Sequence, residues 1–243
     1  MNEITWLGLS WCALPVILVL WIQIRWHQNP VELLYAAGRM VGQLLAVGYV
    51  LVLVFSNPSP LWSSLIALGM ITLAGWIAIR PIKQHPFFWW TAALSLLVAL
   101  GLHLFIALEL VIGVDDWFEP RTFIPLTGMF AANTMNTLSL AGERFVSEVG
   151  NQKTITEARQ TAYSAAMIPV INSMFAVSLV ALPGMMTGQI LSGVSPLIAV
   201  RYQIMIMAMI LGCSGLGAVM FLWLLGRKED WVKRFALSGS TSK

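Results

Sequence analysis

Seven apolar runs divide the chain, at Ile4–Ile24, Gly38–Phe55, Pro60–Ile79, Phe87–Ile112, Phe123–Ala141, Ala165–Leu191 and Leu197–Leu225. Each is long enough for an α-helix to cross the roughly 30 Å of bilayer hydrocarbon. Backbone polar groups find no water there, so a helix, which pairs them internally, is the expected form. With 58% hydrophobic and only 10% charged residues in 243, the composition excludes a soluble globule. The expected fold is an all-α polytopic membrane protein of seven transmembrane helices. Its fifth run is diluted by Asn133, Thr134, Asn136 and Thr137.

Charge orients these helices, because Lys and Arg gather on the cytoplasmic side. Arg25 and Arg39 follow the first run, and Arg80 and Lys83 the third. Arg144, Lys153 and Arg159 follow the fifth, and Arg227, Lys228, Lys233, Arg234 and Lys243 the seventh. Of the 14 basic residues only Arg121 and Arg201 are left over. Asp115, Asp116 and Glu119 mark the opposite face. The N-terminus is therefore expected outside and the C-terminus in the cytoplasm. With no positive residues ahead of it, the first run reads as a retained span. The pI near 9.1 belongs to the cytoplasmic collar and suits anionic lipid headgroups, not nucleic acid.

Inside the sixth and seventh runs lies the stretch PGMMTGQILSGVSPLIAVRYQI, Pro183 to Ile204. Pro183 removes a backbone donor and clashes with the preceding turn, so the sixth helix is expected to break there. Ser195-Pro196 has the form of an N-cap followed by proline at the first helical position, which restarts a helix. Broken helices at membrane depth occur where they line a cavity or are buried in protein. In the fifth run Met129, Asn133, Asn136 and Leu140 share one helical face, suited to hydrogen bonds between helices or to a translocation path. Glu109 and Arg201, each near the outer end of its run, are expected to form an ion pair across two helices. His103 reads as a core histidine. Met185, Met186, Met205, Met207 and Met209 read as gap-filling side chains rather than metal ligands. Cys12 and Cys213 indicate neither a disulfide nor a metal site, and no cofactor is expected.

Residues 1–226 form the expected transmembrane domain, with a cytoplasmic loop at 142–164. In that loop GERFVSEV makes an amphipathic turn offering Phe145, Val146 and Val149 beside Glu143, Arg144 and Glu148. Gly150-Asn151 ends it, and Thr154 with Glu157 has capping-box spacing. Residues 227–243 read as a cytoplasmic interfacial helix, anchored by Trp231 and Phe235, and a tail.

Three ordered motifs give the chain a resemblance. LPGMMTGQIL (Leu182 to Leu191) followed by PLIAVRYQI (Pro196 to Ile204) closely resembles the signature of the FetB permease family, the membrane subunit of a bacterial iron-export ABC transporter. GRMVGQLLAVGYVL (Gly38 to Leu51) is similar to a second family segment, and Ile124-Pro125, Gly128-Met129 and Asn133 to a third. The resemblance implies a homodimeric permease in the inner membrane, working with a separate ATPase chain. The translocation candidates are then Pro183, Gly184, Met185, Met186, Gln189, Arg201, Gln203, Asn133 and Asn136. Glu143, Arg144, Phe145, Val149 and Glu157 become candidates for coupling to the ATPase. The chain departs from the family pattern in having a shorter loop here, TITEARQTAYSAAMIP. Plant relatives of the family are linked to aluminium tolerance and nucleotide sugars, which widens the substrate class. The sequence has no G-x-x-x-x-G-K-[ST] loop, so ATP hydrolysis is not expected of this chain. A secondary transporter is the alternative from another class, since a broken helix with midplane polar groups suits it equally.

Overall fold

A computed structural model of the chain describes residues 5–82, 86–177, 179–180 and 182–227. The interfacial helix expected around Trp231 and Phe235 lies outside them. Every regular element among the described residues is helical. They fall into two compact units, Met1–Asn57 and Pro58–Lys243.

The first unit holds a short α1 (Trp6–Ser10), α2 (Ala13–Arg25) and α3 (Pro30–Ser56), with α2 and α3 packed together. His27 takes a left-handed conformation, φ 55°, in the turn between them. Asn29 then caps α3, its Oδ1 accepting from the Val31 N–H at 3.0 Å, and Pro30 occupies the first turn.

The second unit contains α4 (Pro60–Ala78), α5 (Pro86–Phe105) with a π-helical continuation at Ile106–Ile112, α6 (Pro120–Gly150), α7 (Ile155–Ala176), α8 (Gly184–Leu191) and α9 (Pro196–Gly226). Proline opens α4, α6 and α9 at a position whose N–H has no helical partner anyway. Helix α6 is the centre: α4, α5, α7 and α9 all pack on it. Phe130, Leu138 and Phe145 from α6 are fully buried with Phe88 and Leu96 of α5 and Phe221 of α9. Polar groups in this core are satisfied locally or across helices. The Thr127 hydroxyl donates to the Phe123 carbonyl at 2.8 Å, and that of Thr134 to Cys213 Sγ of α9 at 3.2 Å.

Among the described residues, five helical segments are long and apolar enough to cross a membrane: Leu7–Arg25, Pro30–Ser56, Pro60–Ala78, Phe87–Ile112 and Pro196–Gly226. The fifth and sixth runs take other forms. Helix α6 continues well beyond Ala141 to Gly150, and its 31 residues span about 47 Å, more than the hydrocarbon is thick. The break in the sixth run falls earlier than Pro183 alone implies. Helix α7 stops at Ala176, with the Val177 N–H bonded to the Ser173 carbonyl, and the chain resumes as a separate α8 at Gly184. Proline disfavours helix for the residue before it as well as for itself, so no helix arriving from α7 can continue into α8.

Helices α4 and α5 meet at Gly75, where a Cβ would sit 3.2 Å from the backbone N and Cα of Ala93; on another face of α4, a Cβ at Gly69 would meet nothing within 4 Å. Gly75→Leu should therefore destabilise the protein by about 1–3 kcal/mol through overpacking, whereas Gly69→Leu should be tolerated. Thermal melts of the two variants in detergent check this; equal midpoints would contradict the close crossing.

Candidate functional site

The stretch containing Pro183 forms one wall of a cavity of about 420 Å³. Met174 and Val177 come from the end of α7, Pro183 and Met186 from α8, and Val200, Gln203, Ile204, Met207 and Ala208 from α9. The α9 residues recur at helical spacings of three and four, so they present one face. Helix α8 packs directly on α9, and Gly193, at φ 94°, makes the turn between them.

Gln203 is the distinctive group in this lining. It is only 6% exposed, and no protein group among the described residues hydrogen-bonds its amide. An amide facing an apolar cavity offers a donor and an acceptor that a bound molecule can engage. Around it stand Met174, Met186 and Met207, flexible thioethers that adapt to irregular shapes.

The structure thus brings together Pro183, Met186 and Gln203 among the expected translocation residues. Gly184, Met185, Gln189 and Arg201 do not line the cavity. Arg201 is exposed and lies two residues from Gln203, about 200° around α9. Met174 and Met207 were not among the expected site residues. Met207 was reachable from its spacing of four after Gln203, whereas Met174 comes from another helix. Asn133 back-bonds within α6, its amide donating to the Met129 carbonyl at 2.8 Å, and Asn136 is exposed. Neither makes a bond between helices among the described residues. His103 is a core histidine, 8% exposed, with Nδ1 2.8 Å from the Ala99 carbonyl and its ring seated against Gly212 of α9, where any Cβ would collide with Nε2.

The expected ion pair between Glu109 and Arg201 is absent. Both side chains are exposed, and no ion pair joins them among the described residues. A similar depth in the membrane does not bring two helical faces together.

The expected coupling loop is also corrected. Glu143 to Gly150 are the last two turns of α6, not a loop, and Phe145 is fully buried while Val149 is 6% exposed. These side chains complete the core at the end of the bundle and offer no anchor to a partner. Glu143 and Arg144 are exposed, as are residues 151–154. Glu148 is buried at this corner between Arg144 and Lys153, each 2.6 Å from its carboxylate. Thr154 and Glu157 form the expected capping box, with Glu157 Oε2 accepting from the Thr154 N–H at 3.1 Å and from its hydroxyl at 2.7 Å. Arg159 then reaches α9, donating to the carbonyls of Leu222 and Trp223 at 3.2 Å each. They lie in the last turns of α9, where the helix dipole is negative and a guanidinium is well placed.

An all-helical membrane protein with a buried amide in a methionine-lined cavity is the class these features define. The chain belongs to the uncharacterised protein family UPF0014, whose pattern matches residues 6–229. It is 40% identical over 208 residues to the UPF0014 membrane protein slr1647 of Synechocystis sp., covering 77% of this chain and 79% of the relative. It is 35% identical to the UPF0014 membrane protein STAR2 of Oryza sativa, covering 79% of this chain and 72% of the relative. To the "Probable iron export permease protein FetB" of Escherichia coli it is 31% identical, covering 81% of each chain. No solved structure matches it.

The hydrogen bond from Lys153, supported by the charges of Arg144 and Lys153, holds the Glu148 carboxyl below its ordinary value of 4.5. A depressed native pKa means that this stabilisation is present above the unfolded value and lost as pH falls through the folded one. Acidification below about pH 4.5 should therefore lower the melting midpoint of the wild type more steeply than that of Glu148→Gln. Parallel pH profiles in detergent melts would show that the corner does not depend on this charge.

Proposed function

We propose that this protein is the membrane subunit of an ATP-driven exporter of a metal, iron in the first instance, acting as a homodimer with a separate ATPase chain. Kinship with the Escherichia coli protein named as an iron export permease carries this reading. The absence of a phosphate-binding loop in the sequence agrees with an ATPase on another chain. In this reading the chain crosses the cytoplasmic membrane seven times, with its N-terminus outside. The crossings additional to the five apolar spans are α6 and the α7–α8 segment. The cavity at Pro183, Met186 and Gln203 is the translocation site, and its unpartnered amide contacts the substrate or its ligands.

A second reading keeps the ATP-driven permease but changes the cargo. Among the described residues no group of three or more His, Cys, Asp and Glu could hold a bare metal ion. The lining of Met thioethers and one amide suits a complexed or organic substrate, in line with the nucleotide-sugar and aluminium-tolerance type. A relative from Arabidopsis thaliana is named for aluminium sensitivity.

The ATPase is assigned to the exposed corner, with Glu143 and Arg144 at the end of α6 and Glu157 in the first turn of α7 as the charged contacts. Charge pairs at an interface rim set orientation and encounter rate, so Glu143→Lys should weaken co-purification of the ATPase with the folded permease. Unchanged capture would move the docking surface elsewhere.

Transport is tested in liposomes holding the permease with and without a candidate ATPase chain. Metal efflux should require both the ATPase and ATP. Gln203→Leu, close to its parent in volume, should reduce efflux at least about tenfold, or 1.4 kcal/mol, while leaving the melt unchanged. Flux driven by an ion gradient without any ATPase would overturn the reading in favour of a secondary transporter.

A further inference from the structure

A second cavity, of about 520 Å³, opens between α4, α5 and the first turn of α6, apart from the one at Gln203. Its wall is largely apolar, with Ser64 from α4 and Glu109 from the π-helical segment Ile106–Ile112 as its polar members. A π turn shifts the register of the side chains it carries, and such turns recur at functional sites. Here it places Leu104, Phe105, Leu108 and Glu109 on one lining. The wide turn closes on Gly113, φ 67°, whose N–H reaches the Leu108 carbonyl at 2.9 Å.

Glu109 lies within the apolar span Phe87–Ile112, yet it has no ion pair and no hydrogen bond among the described residues. Ionisable side chains at membrane depth are costly and usually meet a partner. Arg201, the cation that its position in the chain suggested, does not supply one. Beside the carboxylate the cavity carries Trp117 and Phe123, whose rings stack edge to face at 5.6 Å and 78°, and Phe105. Aromatic faces attract a cation through their quadrupole, most strongly where it is desolvated. The volume falls in the range of small-molecule sites. A metal ion is a poor fit, because hard cations take several oxygen ligands and this wall offers a single carboxylate. An anion is excluded by the charge, and Asp115, Asp116 and Glu119 in the adjoining loop add to that field.

We infer that this cavity is a binding site for an organic cation with an apolar body, its charge held by Glu109 and the ring of Trp117. The site is independent of the transport reading and is tested without an ATPase.

The probe is tetraphenylphosphonium, titrated calorimetrically against the full chain in uncharged maltoside micelles. Saturable binding is expected, weakened at least about tenfold in Glu109→Gln and severalfold in Trp117→Leu. Gly101 lines the cavity, and a Cβ there meets nothing within 4 Å, so Gly101→Leu should fill the space and abolish binding without unfolding the protein. The uncharged triphenylphosphine oxide should compete poorly, and a short-chain phosphatidylcholine weakly. Binding unaffected by both Glu109→Gln and Gly101→Leu would reduce the effect to micelle partitioning and overturn the inference. Equal competition by the neutral compound would remove the role of charge. Equal competition by the choline lipid would assign the cavity to a headgroup, which also overturns it.

Discussion

Every peptide group at membrane depth has to find its hydrogen-bond partner within the protein, and the fold depends on where that rule is relaxed. Over most of the chain the relaxation is avoided. Pro60, Pro120 and Pro196 stand at helix starts, where the missing donor costs nothing, whereas Pro125 and Pro169 lie inside α6 and α7. Pro183 is different, because it interrupts an apolar run between α7 and α8. The interruption leaves irregular backbone that only a cavity or surrounding protein accommodates, and the methionine-lined cavity is found there. Gln203 adds an amide to the same lining. A break in the helix and a polar side chain meeting at one cavity are a stronger pointer to a ligand than either alone.

Much of the helix grammar was legible from residue types. The capping box at Thr154 and Glu157 and the restart at Ser195-Pro196 both form where spacing placed them. These signals act within one turn of helix, so local chemistry suffices to read them. The end of α6 was less legible for an instructive reason. Gly142, Glu143 and Arg144 end the apolar run, and polarity was read as the end of the helix. Leaving the membrane and ending a helix are set by different physics, and α6 runs on to Gly150. Phe145 followed the same error: an aromatic in a polar segment reads as exposed, but the extended helix carries it into the core.

Tertiary placement set the remaining limits. Met174 joins the cavity because the end of α7 lies against α9, which no spacing in either helix reveals. The pair expected between Glu109 and Arg201 failed for the converse reason. Equal depth fixes one coordinate of a helical residue and leaves its direction around the axis open. The π turn at Ile106–Ile112 alters that direction further, and neither Ile106, Ala107 nor Leu108 announces it.

Helices α7 and α9 run antiparallel, and this gives the corner a mechanical relation to the cavity. Arg159, in the second turn of α7, holds the terminal carbonyls of α9 through Leu222 and Trp223. Midway, a Cβ on Gly215 of α9 would stand 3.3 Å from the Tyr163 hydroxyl of α7. Further along, Met174 near the end of α7 and Met207 within α9 line the same cavity. From Arg159 to Met174 is about 22 Å along α7, with Pro169 inside the helix on the way. Under the proposed function, closure of an ATPase on Glu143 and Glu157 would displace the base of α7. The Arg159 clamp requires α9 to follow at that end, so the displacement appears where the two helices are not clamped. That place is the opening between Met174, Met186 and Gln203, next to the break at Pro183. A lever fixed at one end and interrupted at the other changes the cavity without unfolding either helix.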